Sequence, residues 1–253
     1  VRATGGLDDT VVDATENVCA CFKLQIAYYE ALGLKGLRAY ARTLRYIRDK
    51  GRIVVADVKR GDIAATAEMY AKAHFEGEFE ADYVTLSPYM GMDSIEPYLP
   101  YLVHHEKGVF VLIRTSNPGA TDIQYLEQKS GQRVYAEVGR QVAELGRQCV
   151  GSSGYSSVGG VVGCTHVEEA RQLRRDLSSV FFLVPGYGAQ GGTAADVALC
   201  LADGNGGVVN SSRRILLAWK NRQDGDAHFD AYARAEAERM RDDIGAVVKA
   251  LRT

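Results

Sequence analysis

Short apolar runs alternate with longer amphipathic stretches along most of the chain. Over residues 28–50, Leu34, Leu37, Ala41, Leu44 and Ile47 recur every three or four positions, with Arg38, Arg42, Arg45 and Arg48 between them. That spacing predicts a helix with one buried stripe. Gly51 ends it, and Ile53-Val54-Val55-Ala56 opens a strand that runs into Asp57. The pattern then repeats. Strands are predicted at 83–86, 109–113, 158–163, 181–184 and 207–210, with helices at 134–145, 168–175 and 194–201 and a Gly/Ser loop at 151–157. Nearly continuous apolar strands joined by crossover helices imply a parallel sheet covered on its outside.

With Cys21-Phe22-Lys23-Leu24 included, the predicted strands lie near 19–24, 52–58, 82–87, 109–114, 158–163, 181–185 and 206–210. A closed barrel of alternating strands and helices has eight. The chain opens with a loop and a helix at 10–18, so one reading is an open doubly wound sheet. The other is a TIM-type (β/α) barrel whose first strand lies outside this sequence. Polar or Gly-bearing segments follow almost every strand, as a ring of strand-end loops forming one face requires, and this favours the barrel. A polar connector at 220–226 leads to Met240, Ile244, Val247, Val248 and Leu251 at helical spacing, a terminal helix packed on the barrel wall. Residues 1–253 therefore read as a single barrel domain.

Thirty basic and 32 acidic residues nearly cancel. That balance argues against nucleic-acid or acidic-membrane binding, while leaving room for a local basic pocket for one phosphate. Cys19, Cys21, Cys149, Cys164 and Cys200 are scattered and odd in number, which points to a reducing, cytoplasmic compartment rather than a disulfide framework. Cys19 and Cys21 read as packing residues, and His74, His104, His105, His166 and His228 lack metal-ligand spacing, with His104-His105 expected at a helix end. No metal site is expected from these residues. No signal peptide opens the chain, and no apolar run approaches the roughly 20 residues of a spanning helix.

Asp57 and Lys59 stand at the end of a strand, where alternation places both side chains on one face with Cα atoms about 6.5 to 7 Å apart. Asp62 follows after Gly61, where the chain can turn a second carboxylate towards the same ammonium or towards a neighbouring subunit. A surface salt bridge with a turn Asp is the plain alternative. Opposite charges on either side favour the protonated form of Lys59, a good proton donor and a poor imine-forming amine. Lys23, also at a strand end, points into water or into a site. A second cluster, Pro185-Gly186-Tyr187-Gly188-Ala189-Gln190-Gly191-Gly192-Thr193, lets backbone N–H groups approach an oxyanion, or is simply a flexible turn. The next strand ends in Asn210-Ser211-Ser212-Arg213-Arg214, placing a guanidinium where barrels bind phosphate. Ser116, in Thr115-Ser116-Asn117-Pro118-Gly119, offers a hydroxyl to a ring amide or carbonyl, although Ser-Asn-Pro-Gly is equally a turn sequence.

Phe22-Lys23-Leu24-Gln25-Ile26-Ala27-Tyr28-Tyr29-Glu30, Ala56-Asp57-Val58-Lys59-Arg60-Gly61-Asp62-Ile63-Ala64-Ala65-Thr66, Thr115-Ser116-Asn117-Pro118-Gly119 and Pro185-Gly186-Tyr187-Gly188-Ala189-Gln190-Gly191-Gly192 occur in order over most of the chain. Together they resemble the orotidine 5'-monophosphate decarboxylases, particularly the longer bacterial type. The resemblance implies a homodimeric barrel that makes uridine 5'-monophosphate without metal or organic cofactor. It implies a charged network of Lys23, Asp57, Lys59 and Asp62, with Asp62 and Thr66 reaching a partner subunit's site. It also assigns Ser116 to the pyrimidine, Pro185, Gly186 and Gln190 to the loop over the phosphate, and Ser212 and Arg213 to the phosphate, with Arg214 competing for the last role. The family's first-strand Asp, which contacts the ribose, has no counterpart before the first helix; Leu7-Asp8-Asp9 lies too close to Lys23 to be that element. Two alternatives remain: a Mg-dependent sugar-phosphate decarboxylase or aldolase-like lyase of the same barrel class, and a non-catalytic nucleotide-binding barrel.

Overall fold

The computed structural model describes residues 5–104, 106–188 and 191–252. Helix α1 (Gly5–Thr15) precedes β1 (Cys21–Gln25), followed by α2 (Ala27–Glu30), α3 (Gly33–Asp49) and β2 (Ile53–Arg60). Next come α4 (Ala64–Phe75), β3 (Tyr83–Leu86), α5 (Leu99–His104), β4 (Gly108–Arg114), α6 (Thr121–Gln124), α7 (Val134–Leu145) and β5 (Ser156–Val162). The chain continues through α8 (Val167–Asp176), β6 (Val180–Pro185), α9 (Ala194–Leu199), β7 (Gly207–Asn210), α10 (Ser212–Leu216) and α11 (Phe229–Leu251). All seven strands are parallel, and their order in the sheet is their order in the sequence. With helices around it, this is a nearly closed barrel of the TIM type. Among the described residues no strand precedes α1, and β1 and β7 are not paired with each other.

Alternation along the strands builds two apolar layers. Val55, Phe110, Val161 and Leu183, joined by Cys21, Tyr83, Leu112, Phe181 and Val208, form one cluster inside the barrel. Val54, Val84, Val109, Val111, Val158 and Phe182 belong to the larger cluster that meets the helices. Leu44 and Ile47, from the stripe predicted on α3, are fully buried in it, as is the neighbouring Tyr40, whereas Leu34 at the start of the predicted stripe, on the first turn of the helix, is 73% exposed. Because the strands are parallel, the segments that follow Gln25, Arg60, Leu86, Arg114, Val162, Pro185 and Asn210 all emerge on one face.

Several boundaries differ from the sequence pattern. The single helix expected over 28–50 is broken between Glu30 and Gly33, because Gly33 takes a left-handed φ of 65° that interrupts the helix. The helix expected at 10–18 is α1, which begins earlier and contains Asp8 and Asp9. These carboxylates accept from the Tyr29 hydroxyl (2.9 Å) and from Arg42 (2.6 Å), and so tie α1 to α2 and α3. Strand β5 takes in the last two residues of the expected 151–157 loop, and the terminal helix extends back to Phe229. His104 ends α5 as expected, while His105 lies outside the described residues. No helix is long and apolar enough to cross a membrane among the described residues.

Candidate active site

Three predicted charges meet where β1 and β2 end. Parallel pairing sets Gln25 beside Asp57 and Lys23 beside Val55, which brings the Lys23 side chain up to the Asp57 carboxylate. Lys23 Nζ lies 2.7 Å from Asp57 Oδ2, and Lys59 Nζ lies 2.5 Å from Oδ1. Gln25 donates to Oδ2 at 3.2 Å. Burial pushes the Asp57 carboxyl up, but Lys23 and then Lys59 outweigh it, holding the carboxyl below the usual range. Asp57 is 6% exposed, whereas the Lys59 side chain is 46% exposed and lies where a ligand can reach it.

Strand alternation alone does not bring Asp57 and Lys59 together. Ala56 pairs with Val84 and Arg60 with Leu86, so Asp57, Val58 and Lys59 face a single β3 residue, Thr85. Strand β2 bulges there, and Lys59 adopts a left-handed φ of 46°, a conformation that costs a non-glycine residue roughly 1–3 kcal/mol. Thr85, 1% exposed, donates to Asp57 Oδ1 (3.0 Å) and accepts the Val58 and Lys59 N–H groups (3.0 and 2.9 Å). Neither Thr85 nor Gln25 stands out in the sequence pattern. A Thr inside an apolar strand signals nothing until the opposite strand is known.

Asp62 is half-buried and accepts the Ile63 N–H at 2.8 Å; among the described residues it makes no ion pair with Lys59. Thr66 is exposed on the first turn of α4. Ser116 lies just beyond β4 beside Gly163, where a Cβ would sit 3.0 Å from that of Ser116, so the two strand-end loops touch. Next to Ser116 in the chain, a polar cluster surrounds one fully buried arginine that the sequence pattern did not reveal. Arg114 is 0% exposed and reaches Glu169 on α8 at 2.6 Å, the Tyr125 hydroxyl at 3.0 Å and the Thr115 carbonyl. Tyr125 also donates to Glu169, and Gln124 binds both the N–H and the hydroxyl of Thr115. Glu169→Ala strands a buried guanidinium and is expected to destabilise the fold by about 3–5 kcal/mol, while Glu169→Gln costs less. Urea unfolding checks this, and a loss below about 1 kcal/mol for the alanine variant contradicts it.

The glycine-rich segment after β6 is more self-contained than expected. The N–H groups of Gly188, Gly191 and Gly192 donate to the carbonyls of Gly192, Gly188 and Gly186, so the loop closes on itself rather than pointing these donors outward. Gly186 and Gly188 have φ values of 114° and 73°, which explains glycine at both places. The Pro185 carbonyl accepts from the Cys164 N–H at 3.1 Å, while Gln190 lies outside the described residues. Ser212 and Arg213 begin α10 and are exposed. Arg214 pairs with Glu236 of α11 at 2.8 Å and lies over Tyr187 and against Gly188. Among the described residues Arg213 makes no ion pair; with Arg214, Arg222, Tyr232, Glu236 and Arg239 it lines a cavity of about 450 Å³. No group of three or more His, Cys, Asp or Glu is placed to hold a metal ion among the described residues.

Comparison with known proteins supplies the remaining context. A protein of Clostridium perfringens named orotidine 5'-phosphate decarboxylase is 64% identical over 234 residues, covering 92% of this chain and 81% of that relative. Among solved structures, the OMP decarboxylase of Leishmania donovani superposes with a TM-score of 0.77 at 31% identity, over 97% of this chain and 87% of that one. The UMP synthase of the same organism gives a TM-score of 0.81 at 33% identity, but this chain spans only 50% of its length. The matching family profile runs over residues 7–227, taking in every strand and the whole charged cluster, and the chain therefore belongs to the orotidine 5'-phosphate decarboxylase / HUMPS family.

Proposed function

We propose that this chain decarboxylates orotidine 5'-monophosphate to uridine 5'-monophosphate, the last step of UMP synthesis. The observation that carries this reading is the Lys23–Asp57–Lys59 array on the strand-end face, in a chain 64% identical to a protein named for that reaction. The carbon–carbon bond to the pyrimidine carboxylate breaks, carbon dioxide leaves, and the electron pair stays on the ring carbon. The Lys59 ammonium stabilises that carbanion and then gives it a proton, recovering its own from solvent. Asp57, next to the departing carboxylate, adds like-charge repulsion in the ground state. Lys23 offsets part of the Asp57 charge and restricts its orientation. No organic cofactor or metal enters this scheme.

The remaining roles are those that the family resemblance implies. Ser116 contacts the pyrimidine, Pro185, Gly186 and Gln190 belong to the loop over the phosphate, and Ser212 and Arg213 bind the phosphate. Arg213 is preferred to Arg214 because Glu236 already engages Arg214. Asp62 and Thr66 serve the site of a second subunit in a homodimer. That assembly would bury large apolar side chains exposed after β1, β2 and β3, namely Tyr28, Leu32, Leu34, Ile63, Met69, Tyr89 and Met90. The five unpaired cysteines suit a cytoplasmic setting, and residues 1–253 act as one barrel domain.

The deciding experiment mixes the protein with orotidine 5'-monophosphate and excess chelator and follows pyrimidine absorbance. Turnover is expected; no change at high enzyme concentration refutes the reading, and loss of activity on chelation supports a Mg-dependent sugar-phosphate enzyme instead. Arg213→Ala is expected to weaken uridine 5'-monophosphate binding about 10- to 100-fold, the value of a charge-assisted phosphate contact. Uridine, lacking the phosphate, should bind both proteins alike. An equal loss for the two ligands contradicts the assignment.

A further inference from the structure

We propose that Thr85 is a positioning residue for the decarboxylation, holding Lys59 and Asp57 in their reactive arrangement through one hydroxyl group. The inference deepens the functional reading above and rests on it.

A bulge that sets Asp57, Val58 and Lys59 against a single β3 residue removes ladder partners from consecutive N–H groups. Val58 is 7% exposed, so water is a poor substitute, and an unmade bond there carries the full desolvation cost. A threonine hydroxyl has two lone pairs and one proton. All three are engaged here: Oγ1 accepts from Val58 N at 3.0 Å and Lys59 N at 2.9 Å, and donates to Asp57 Oδ1 at 3.0 Å.

The Asp57 oxygen that receives this proton is the one Lys59 contacts, at 2.5 Å. Thr85 therefore fixes both ends of the Asp57–Lys59 pair, the carboxylate through its proton and the lysine backbone through its lone pairs. Lys59 has a left-handed φ of 46°, which a side chain with a Cβ does not hold unaided. At 1% exposure Thr85 is nearly sealed from solvent, and its position on β3, one strand away, lets it serve β2 without occupying ligand space. Serine reproduces the same three bonds; alanine and valine reproduce none.

The test compares Thr85→Ala, Thr85→Ser and Thr85→Val by steady-state kinetics on orotidine 5'-monophosphate, with circular dichroism and urea unfolding on each. The alanine and valine variants are expected to lose about 10- to 100-fold in kcat with KM within about threefold of wild type, as misplacement of reacting groups does. The serine variant should recover most of that loss. Should Thr85→Val not fold, the Ala and Ser variants, which differ by one hydroxyl, decide alone. Folded Ala and Ser variants with equal kcat overturn the proposal, as does a loss confined to KM or to the urea midpoint. A wild-type protein that fails to decarboxylate the substrate instead refutes the functional reading, so the two failures are distinguishable.

Discussion

Lys59→Ala is expected to lower kcat by roughly 10⁵-fold while leaving a folded protein. The magnitude combines a lost proton donor, worth about 10²–10⁴, with a lost fixed charge opposite the developing carbanion, worth about 10²–10³. Folding should tolerate the change because the Lys59 side chain is half exposed and Asp57 keeps Lys23, Gln25 and Thr85 as partners. Removing a side chain from a left-handed position also leaves the backbone strain as it was, since alanine too has a Cβ. Single-turnover absorbance measurements with enzyme in excess resolve the residual rate, and circular dichroism reports the fold. A variant within tenfold of wild type would remove Lys59 from the chemistry.

Asp57→Asn separates the two ways in which Asp57 can act. The change keeps the shape and one acceptor oxygen, but removes the charge that repels the substrate carboxylate and balances Lys23 and Lys59. We expect kcat to fall about 10³-fold, the scale of one preorganised electrostatic group, while substrate affinity stays level or improves because the ground-state repulsion is gone. A parallel experiment with uridine 5'-monophosphate, which has no carboxylate, should show no gain in affinity. Unchanged kcat with weaker substrate binding would reduce Asp57 to a structural counter-ion. The contrast with Lys59→Ala matters: that change removes a group that gains interaction as the reaction proceeds, whereas this one also removes a group that opposes the bound substrate.

Much of the fold is legible in the sequence. The C-terminal part of the α3 stripe, Leu44 and Ile47, and the apolar runs of β2, β4, β5 and β6 follow periodicities that a chain expresses locally, while Leu34 of the same stripe is exposed. Boundaries slipped where one residue overrode the pattern: Gly33 divides the predicted helix, and its conformation is invisible to a count of apolar positions. The charged cluster was legible for a related reason. Asp57 and Lys59 stand two apart on one strand and Lys23 ends the neighbouring one, so chain order puts all three at one strand-end face, although the bulge over Asp57 to Lys59 sets how they meet.

Other features depended on which elements pack together. Arg213 and Arg214 are equivalent as letters, and only the approach of Glu236 from α11 distinguishes them. Arg114 gave no sign that it is buried, since its partner Glu169 lies 55 residues away on α8. The glycine-rich loop had the composition of an anion cradle, yet its geometry directs the N–H groups of Gly188, Gly191 and Gly192 to its own carbonyls.

The sequence by itself determined the alternation of strands and helices, the parallel sheet and the presence of an Asp-x-Lys pair on a strand-end face, because side-chain periodicity and chain order are local properties. The tertiary structure decided how that pair is held. Its cross-strand register leaves Asp57, Val58 and Lys59 opposite Thr85 alone, and a hydroxyl 26 residues beyond Lys59 then supplies the bonds that the bulge removes.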